Sequence, residues 1–265
     1  MAFFDELAAR IERRDTVVSV GLDPDPDRLP EFLDSDLPRW AFNRRIIDAT
    51  HEHAACYKPN AAFYEDSDGW RALEETVAYA HGKGVPVLLD AKRGDIGNTA
   101  RQYATVLDSV DAITVNPYLG ADALQPFLSR EDKGVFVLAR TSNPGAQEFQ
   151  RLEVGNGKRL YEYVAQRAAE WSEGNVGLVV GATAPEELEA VRELVPELPF
   201  LVPGVGTQGG DAEAAVEHGL AGGVGLVNSS RGIIFAGEGS QSAERYFDAA
   251  GAAARRLKRR LNEYR

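Results

Sequence analysis

The chain has 265 residues and a formal net charge of −12, with 41 acidic against 29 basic side chains. A field of that sign repels nucleic acid and anionic lipid, so we expect no nucleic-acid partner and no membrane partner. The single Cys excludes an internal disulfide framework and a thiolate zinc cluster, and the lack of a long apolar run or a secretory signal predicts a cytoplasmic protein.

Short apolar runs alternate with helix-like segments along the chain. A first amphipathic segment at 3–13 precedes eight runs rich in β-branched residues, at 16–22, 54–58, 85–90, 112–116, 135–139, 176–181, 200–203 and 223–227. The helix-like segments that separate these runs lie at 39–52, 69–82, 98–109, 121–129, 158–172, 185–194 and 210–219, and a long basic segment follows at 243–262. Near-continuous apolar runs of this length are typical of parallel strands that are covered on both faces.

Eight strand–helix units predict a (β/α)8 TIM barrel. We expect one domain over residues 1–265, with an extra N-terminal helix and a long C-terminal helix. A doubly wound open sheet is the alternative, but it usually has fewer strands and a Gly-rich turn after its first strand. The Gly-rich turns of this chain come late, after the seventh and eighth runs, which favours the barrel.

Charged side chains follow the second and third strands directly. Lys58 ends the second run, whereas Asp90, Lys92 and Asp95 lie at or just beyond the end of the third. Residues two apart on a strand point to the same side, so Asp90 and Lys92 should meet, with Lys58 beside them. Two ammonium groups and two carboxylates then predict an alternating network in which each group stays charged. A purely structural salt-bridge network at the mouth of the barrel is the alternative reading of the same residues.

The turns after the seventh and eighth strands predict a phosphate site, which is their usual role in this architecture. Arg231 offers a planar bidentate donor, and Gln208 offers a neutral one. Glycines in these turns let backbone N–H groups approach an anion: Gly204, Gly206, Gly209, Gly210 and Gly232. Glycine-rich turns are also common packing devices, so their position next to Arg231 carries this prediction.

Three further polar residues are candidates for contacts with a ligand. Ser142 and Asn143 end the fifth strand and can hydrogen-bond the edge of a flat heterocycle, although Ser-Asn-Pro-Gly is also a good turn sequence. Asp23 ends the first strand and can bind sugar hydroxyls, or cap the segment that follows. The four His residues and Cys56 lack the spacing of a metal or nucleophile cluster, so we expect no metal, and no Walker or dinucleotide fingerprint follows the first strand.

The segment from Asp90 to Thr99 carries a family resemblance. Its sequence, Asp-Ala-Lys-Arg-Gly-Asp-Ile-Gly-Asn-Thr, resembles the Asp-x-Lys-x-x-Asp-(Ile/Val)-x-x-Thr signature of the orotidine 5′-phosphate decarboxylases. The Arg-Gly insert is typical of the longer-chain bacterial and archaeal branch of that family. The segments at 57–64, 140–145 and 203–208 match as well, and the resemblance extends from the first strand to Arg231.

The resemblance implies a homodimer that decarboxylates orotidine 5′-phosphate to UMP in pyrimidine biosynthesis without a cofactor. Lys92 would stabilise a carbanion at C6 of the pyrimidine and then protonate it. Lys58, Asp90 and Lys92 would come from one subunit, while Asp95, Ile96 and Thr99 would reach into the partner's site. The substrate contacts implied are Asp23 and Lys58 on the ribose, Ser142 on the pyrimidine, and Gln208 and Arg231 on the phosphate.

Three other functions stay open on the sequence. A magnesium-dependent sugar-phosphate decarboxylase or synthase of the same barrel superfamily shares the Asp-x-Lys-x-x-Asp pattern. A Schiff-base aldolase would use Lys58 or Lys92, but this chemistry needs a lysine with a depressed pKa, and flanking carboxylates favour the charged form. A silent nucleotide-phosphate binding protein would bind UMP without turnover.

Overall fold

The computed structural model describes residues 2–33, 35–205, 210–221, 223–240 and 242–265. The strands are β1 (Val18–Leu22), β2 (Cys56–Pro59), β3 (Leu88–Arg93), β4 (Ala112–Val115), β5 (Gly134–Arg140), β6 (Val176–Val180), β7 (Phe200–Pro203) and β8 (Gly225–Ser229). They form one parallel sheet in the order β2-β1-β8-β7-β6-β5-β4-β3. Two parallel bridges, Tyr57–Val87 and Asn60–Asp90, join the end strands β2 and β3. The sheet therefore closes on itself, which confirms the predicted barrel.

Helices connect the strands and cover the outside of the barrel. They are α1 (Phe3–Arg14), α2 (Pro38–Thr50), α3 (Gly69–Gly82), α4 (Gly97–Ala104), α5 (Ala121–Leu128), α6 (Ala146–Phe149), α7 (Leu160–Glu170), α8 (Pro185–Leu194), α9 (Ala212–Glu217), α10 (Arg231–Ile234) and α11 (Ala243–Asn262). The prediction missed α6 and α10, because a single turn is too short to show a helical period in the sequence. Helix α1 precedes β1, and the 20-residue helix α11 follows β8.

The third strand differs from its predicted bounds of 85–90. It begins at Leu88 and continues through the charged residues to Arg93. Its pairing with β4 starts at Leu88–Ala112 and Leu89–Ile113, and then shifts register before Arg93 pairs with Val115. The prediction ended the strand where apolar residues ended, but the sheet is held by backbone hydrogen bonds that polar residues also make, such as Asn116 N–H to Arg93 O at 2.8 Å.

Helix α1 closes the amino end of the barrel. The rings of Phe3 and Phe4 pack edge-on against Phe136 of β5, with ring centroids 6.2 and 5.5 Å apart. The buried Arg10 guanidinium donates to three backbone carbonyl oxygens at the same end, those of His51, Ala54 and Gly84. The amino end of the barrel is thus filled and hydrogen-bonded, whereas a cavity lies at the carboxyl ends of the strands.

Candidate active site

The cavity at the carboxyl ends of the strands has a volume of about 460 Å³. Its wall is built from residues that lie in or follow seven of the strands, all except β4, at the end of the barrel where such enzymes carry out their chemistry. Eight of the residues predicted from the sequence line it: Asp23, Lys58, Asp90, Lys92, Ser142, Asn143, Gly204 and Arg231. Among the described side chains that line it, three are cationic and two are anionic, which is an excess of one positive charge in a strongly acidic protein.

A chain of ion pairs crosses the floor of the cavity from β2 to β3. Lys58 Nζ lies 2.8 Å from Asp90 Oδ2, and Lys92 Nζ lies 2.6 Å from Asp90 Oδ1. The side chains of Lys58 and Asp90 are 5% and 12% exposed, whereas that of Lys92 is 46% exposed. One ammonium group is therefore buried behind the carboxylate, and the other projects into the cavity, where a ligand can reach it.

Asp90 and Lys58 each stabilise the charged form of the other. Burial by itself would raise the pKa of the Asp90 carboxyl, but the ammonium groups of Lys58 and Lys92 outweigh that effect and hold the pKa below its usual range. Burial would likewise lower the pKa of Lys58, yet the charges of Asp90 and Asp23 raise it above its ordinary value. Asp90 is thus an anion and Lys58 a cation at neutral pH, which places a fixed negative charge beside the Lys92 ammonium.

The backbone at Lys92 adopts a left-handed conformation, with φ at +48°. This region is unfavourable for residues that carry a Cβ atom. Lys92 lies within the register shift of β3, so the simple alternation that predicted its direction does not apply, although the predicted contact with Asp90 is made. The bulge turns the lysine side chain toward the cavity while the strand continues to Arg93.

Thr114 in β4 is a member of this cluster that the sequence analysis missed. Its hydroxyl donates to Asp90 Oδ1 at 2.9 Å and accepts a hydrogen bond from the backbone N–H of Lys92 at 2.9 Å. Thr114 therefore fixes the carboxylate and the strained backbone together. In the sequence, Thr114 stands out only as a single polar residue inside the apolar run Ala112-Ile-Thr-Val115.

Two residues of the predicted phosphate site, Gly204 and Arg231, line the end of the cavity near β7 and β8. Arg231 lies there and forms no ion pair with any carboxylate of the described residues, so its guanidinium is available to an anion. Gly204 lines the wall with φ at +103°, which favours glycine. Gly232 is exposed and does not line the cavity, and Gly210 packs against Gly204, where a Cβ would come within 2.6 Å of the carbonyl oxygen. The predicted residues Gly206, Gln208 and Gly209 lie outside the described residues.

The opposite end of the cavity combines polar and apolar groups. Thr141, Ser142 and Asn143 follow β5 and line the wall, and the Thr141 hydroxyl donates to Asn143 Oδ1 at 2.7 Å. Apolar side chains from three adjacent strands lie beside them: Leu138, Val179 and Leu201. A flat ring that carries polar atoms on its edge fits such a surface, because its face can contact the apolar groups while its edge meets the polar ones.

The remaining residues of the predicted site are Asp23 and three residues after β3. Asp23 lines the cavity, and its Oδ1 is buried without a hydrogen-bond partner among the described residues. Asp95, Ile96 and Thr99 do not line the cavity. Asp95 Oδ1 instead accepts a hydrogen bond from the N–H of Ile96, and the Ile96 side chain is strongly exposed. Asp95 therefore does not join the network of Lys58, Asp90 and Lys92 within this chain.

Other reactive groups lie apart from the cavity. The described residues contain no group of three or more His, Cys, Asp and Glu side chains that could hold a metal ion. Cys56 is fully buried in β2, and burial raises the pKa of its thiol, which suits the predicted structural role.

Over the part of the chain that the structure describes, no helix has the length and apolar character needed to cross a membrane.

The chain forms a closed parallel barrel with a charged cavity at the carboxyl ends of its strands. This is the architecture of the TIM-barrel enzymes. The comparisons with known proteins narrow that class. A sequence model of the orotidine 5′-phosphate decarboxylase / HUMPS family matches residues 16–246, so the chain belongs to this family.

Relatives and solved structures agree with the family match. The chain is 78% identical over 270 residues to orotidine 5′-phosphate decarboxylase of Natronomonas pharaonis and 74% identical over 276 residues to that of Halorubrum lacusprofundi, with all of both chains covered in each case. It superposes on the structure of Leishmania donovani OMP decarboxylase with a TM-score of 0.85 at 42% identity, covering 100% of this chain and 99% of the other.

Proposed function

We propose that this protein decarboxylates orotidine 5′-phosphate to UMP and CO2 in pyrimidine biosynthesis. The observation that carries the proposal is the chain of ion pairs Lys58–Asp90–Lys92, which presents one partly exposed ammonium group in a cavity of about 460 Å³. The names of the relatives agree with this reaction. We also propose a cytoplasmic location, which the single Cys supports.

The reaction needs a positive group beside C6 of the pyrimidine. When the bond between C6 and the carboxylate breaks, its electron pair stays on C6 and CO2 leaves. The Lys92 ammonium stabilises that pair and then donates its proton to C6, which forms the C–H bond of UMP, and the amine regains a proton from solvent. Asp90 holds the Lys92 ammonium in place before the substrate arrives, so the stabilising charge needs no reorganisation during the reaction.

The rest of the cavity orients the substrate. The pyrimidine lies against the apolar surface near β5 to β7, with its edge toward Ser142 and Asn143. Asp23 and Lys58 bind the ribose, and Arg231 binds the phosphate together with Gln208 and the glycine turn. Binding energy from the phosphate and ribose lowers the barrier at C6 only if it holds the ring against Lys92, so loss of these contacts should reduce kcat as well as affinity.

We further propose that two copies of the chain form a homodimer with shared sites. Exposed apolar side chains surround the segment that carries Asp95: Ile96, Tyr103, Tyr118 and Leu119. Tyr118 is 88% exposed and Ile96 is 63% exposed, which is unusual for apolar residues of this size. A second copy seated on this surface would cover them and would bring Asp95 and Thr99 to the neighbouring cavity.

Subunit mixing tests the shared site. Asp95→Ala and Lys92→Ala homodimers should each be inactive, whereas a mixture of the two should recover partial activity. The recovery is expected because one site of each hybrid then carries both native residues. Absence of recovery in hybrids that are shown to form would refute the shared site while leaving the proposed reaction untouched.

Decarboxylation of orotidine 5′-phosphate, followed by ultraviolet absorbance with and without a chelator, tests the reaction itself. We expect turnover that the chelator leaves unchanged. Loss of turnover with the chelator and recovery with magnesium would favour the metal-dependent alternative, and covalent trapping of substrate by borohydride would favour the aldolase. Tight binding of UMP by a protein that never turns over orotidine 5′-phosphate would support the silent binding protein.

A further inference from the structure

The loop after β5 is fastened at both of its ends by one buried carboxylate. We define the strand-five loop as residues 141–150, which includes the cavity-lining residues Thr141, Ser142 and Asn143. Arg140 precedes this loop and Arg151 follows it. Glu187, in the first turn of α8, binds both: its Oε2 lies 2.5 Å from Arg140 Nε, and its Oε1 accepts from Arg151 Nε.

A second set of contacts closes the strand-five loop just inside this pair. The N–H of Thr141 donates to Gln150 Oε1 at 2.9 Å, and Gln150 Nε2 donates to the Thr141 hydroxyl at 2.8 Å. The Arg140 guanidinium also donates to the carbonyl oxygen of Thr141. The first and last residues of the loop are therefore bound to each other, and the arginines on either side of them are bound to the same carboxylate.

The burial of this cluster shows that it is built into the fold. The side chains of Arg140 and Glu187 are 7% and 8% exposed, and Arg151 shields the other face of the carboxylate. A register shift between Leu138 and Arg140 in the pairing of β5 with β6 interrupts the alternation of the strand. Leu138 can then line the cavity while Arg140 turns outward to α8, instead of both facing the interior of the barrel.

Stability alone is a poor reason for such a cluster. Removing charges from water costs as much free energy as a buried ion pair returns, and apolar residues of similar volume often serve as well. What the pair provides and apolar packing does not is a fixed direction, because the guanidinium and carboxylate meet in a defined geometry. That direction sets where the strand-five loop leaves the barrel, and hence where Ser142 and Asn143 stand in the cavity wall.

We infer that Glu187 is a positioning residue, which acts through Arg140 and Arg151 to hold the strand-five loop at the base-binding end of the cavity. The inference rests on the proposed function only for the identity of the ligand. Because Glu187 lies outside the cavity wall, it should affect recognition of the pyrimidine and leave the phosphate end, at Arg231, unchanged.

Glu187→Gln tests this role, since glutamine keeps the size of the side chain but loses the charge and one acceptor oxygen. Without ligand, we expect the amides of residues 141–150 to exchange with solvent about tenfold faster than in the wild type, while amides in the barrel strands keep their protection. UMP should bind about tenfold more weakly, whereas ribose 5-phosphate, which lacks the base, should bind with unchanged affinity. Glu170→Gln is the matched control, because it removes an exposed ion pair with Arg167 from the neighbouring helix α7.

Two results would overturn the inference. One is unchanged exchange in the strand-five loop of Glu187→Gln. The other is an equal loss of affinity for UMP and ribose 5-phosphate, which would indicate a general structural role. If the wild type neither binds UMP nor decarboxylates orotidine 5′-phosphate, the proposed function fails, but the exchange measurement still decides whether Glu187 holds the loop.

A compensated variant covers the case in which Glu187→Gln does not fold. Replacing the three charged residues together, as Arg140→Met, Glu187→Leu and Arg151→Met, leaves no buried charge without a partner. We expect this variant to fold, to show the same fast exchange in residues 141–150, and to lose affinity for UMP but not for ribose 5-phosphate. Slow exchange with normal UMP affinity in this variant would refute the positioning role.

Discussion

Lys92 combines a functional side chain with an unfavourable backbone, and the two can be separated by mutation. The residue sits at φ +48°, where a Cβ atom costs about 1–2 kcal/mol, and glycine avoids that cost. Lys92→Gly and Lys92→Ala both remove the ammonium group, but only Lys92→Gly removes the Cβ atom. The comparison of the two variants therefore isolates the backbone strain, with the loss of the ion pair common to both.

The loss of the Lys92 side chain itself should be inexpensive for stability. Its ion pair with Asp90 is 46% exposed on the lysine side, and pairs of this kind contribute about 0–1 kcal/mol. Asp90 also keeps its buried partner Lys58 and the hydroxyl of Thr114. We therefore expect Lys92→Gly to be as stable as the wild type within about 1 kcal/mol, and about 1 kcal/mol more stable than Lys92→Ala.

Urea unfolding and turnover of orotidine 5′-phosphate check these expectations. A difference of about 1 kcal/mol corresponds to roughly 2–4 °C in Tm for a chain of this size, which thermal unfolding resolves. Turnover should be abolished in both variants. Lys92→Ala matching or exceeding Lys92→Gly in stability would refute the strain argument, and near-normal turnover in either variant would refute the role of the ammonium group.

Three further predictions follow from the charged groups. Lys58→Ala should cost about 3–5 kcal/mol in urea unfolding, because it leaves the Asp90 carboxylate buried with a single, exposed partner; a loss below about 1 kcal/mol would contradict the burial argument. Arg231→Ala should weaken UMP about 10- to 100-fold in calorimetry and leave uridine, which lacks the phosphate, nearly unaffected; equal losses would argue against a phosphate clamp. The hydrogen bond to Asp111 raises the pKa of His81, so the imidazolium stabilises the fold below about pH 6.5 and this contribution disappears as pH rises through the folded-state pKa. His81→Gln should therefore reduce the free energy of unfolding at about pH 5.5 and hardly change it at about pH 8.5. The loss at the lower pH should be less than about 1 kcal/mol, because the ion pair with Asp111 is partly exposed. Equal losses at both pH values would contradict this prediction.

The burial of the ion pairs separates two kinds of charge in this protein. Lys58, Asp90, Arg140 and Glu187 are buried and occupy fixed positions around the cavity. Lys92 and Arg231 are exposed in the same cavity and are free to meet a ligand. This division suits a site in which the exposed Lys92 ammonium is held by the Asp90 carboxylate, because a carboxylate bound by two partners cannot move toward either one alone.

The cluster of Lys58, Asp90 and Lys92 was predictable from the sequence, because these residues lie at or just beyond the ends of apolar runs. Lys58 and Asp90 follow runs that are long enough to be strands, and parallel strands in a barrel bring their carboxyl ends to one rim. The roles of Ser142, Asn143 and Arg231 in binding stay predictions, although the structure brings all three to the cavity. Thr114 and Glu187 could not be assigned in advance, because their contacts join residues 22 to 47 positions apart and neither carries a local signal of its partner.

By itself, the amino-acid sequence determined the number and order of the strands, most of the helices between them, the end of the barrel that carries the cavity, and the charged residues that line it. These features follow from the period of apolar residues and from the cost of burying charge, which act locally along the chain. Only the tertiary structure decided the bulge that turns Lys92 into the cavity, the position of Asp95 away from the cavity wall, and the carboxylate of Glu187 that holds both ends of the strand-five loop. Those features depend on the register between strands and on contacts between distant segments, which the packing of the whole barrel sets.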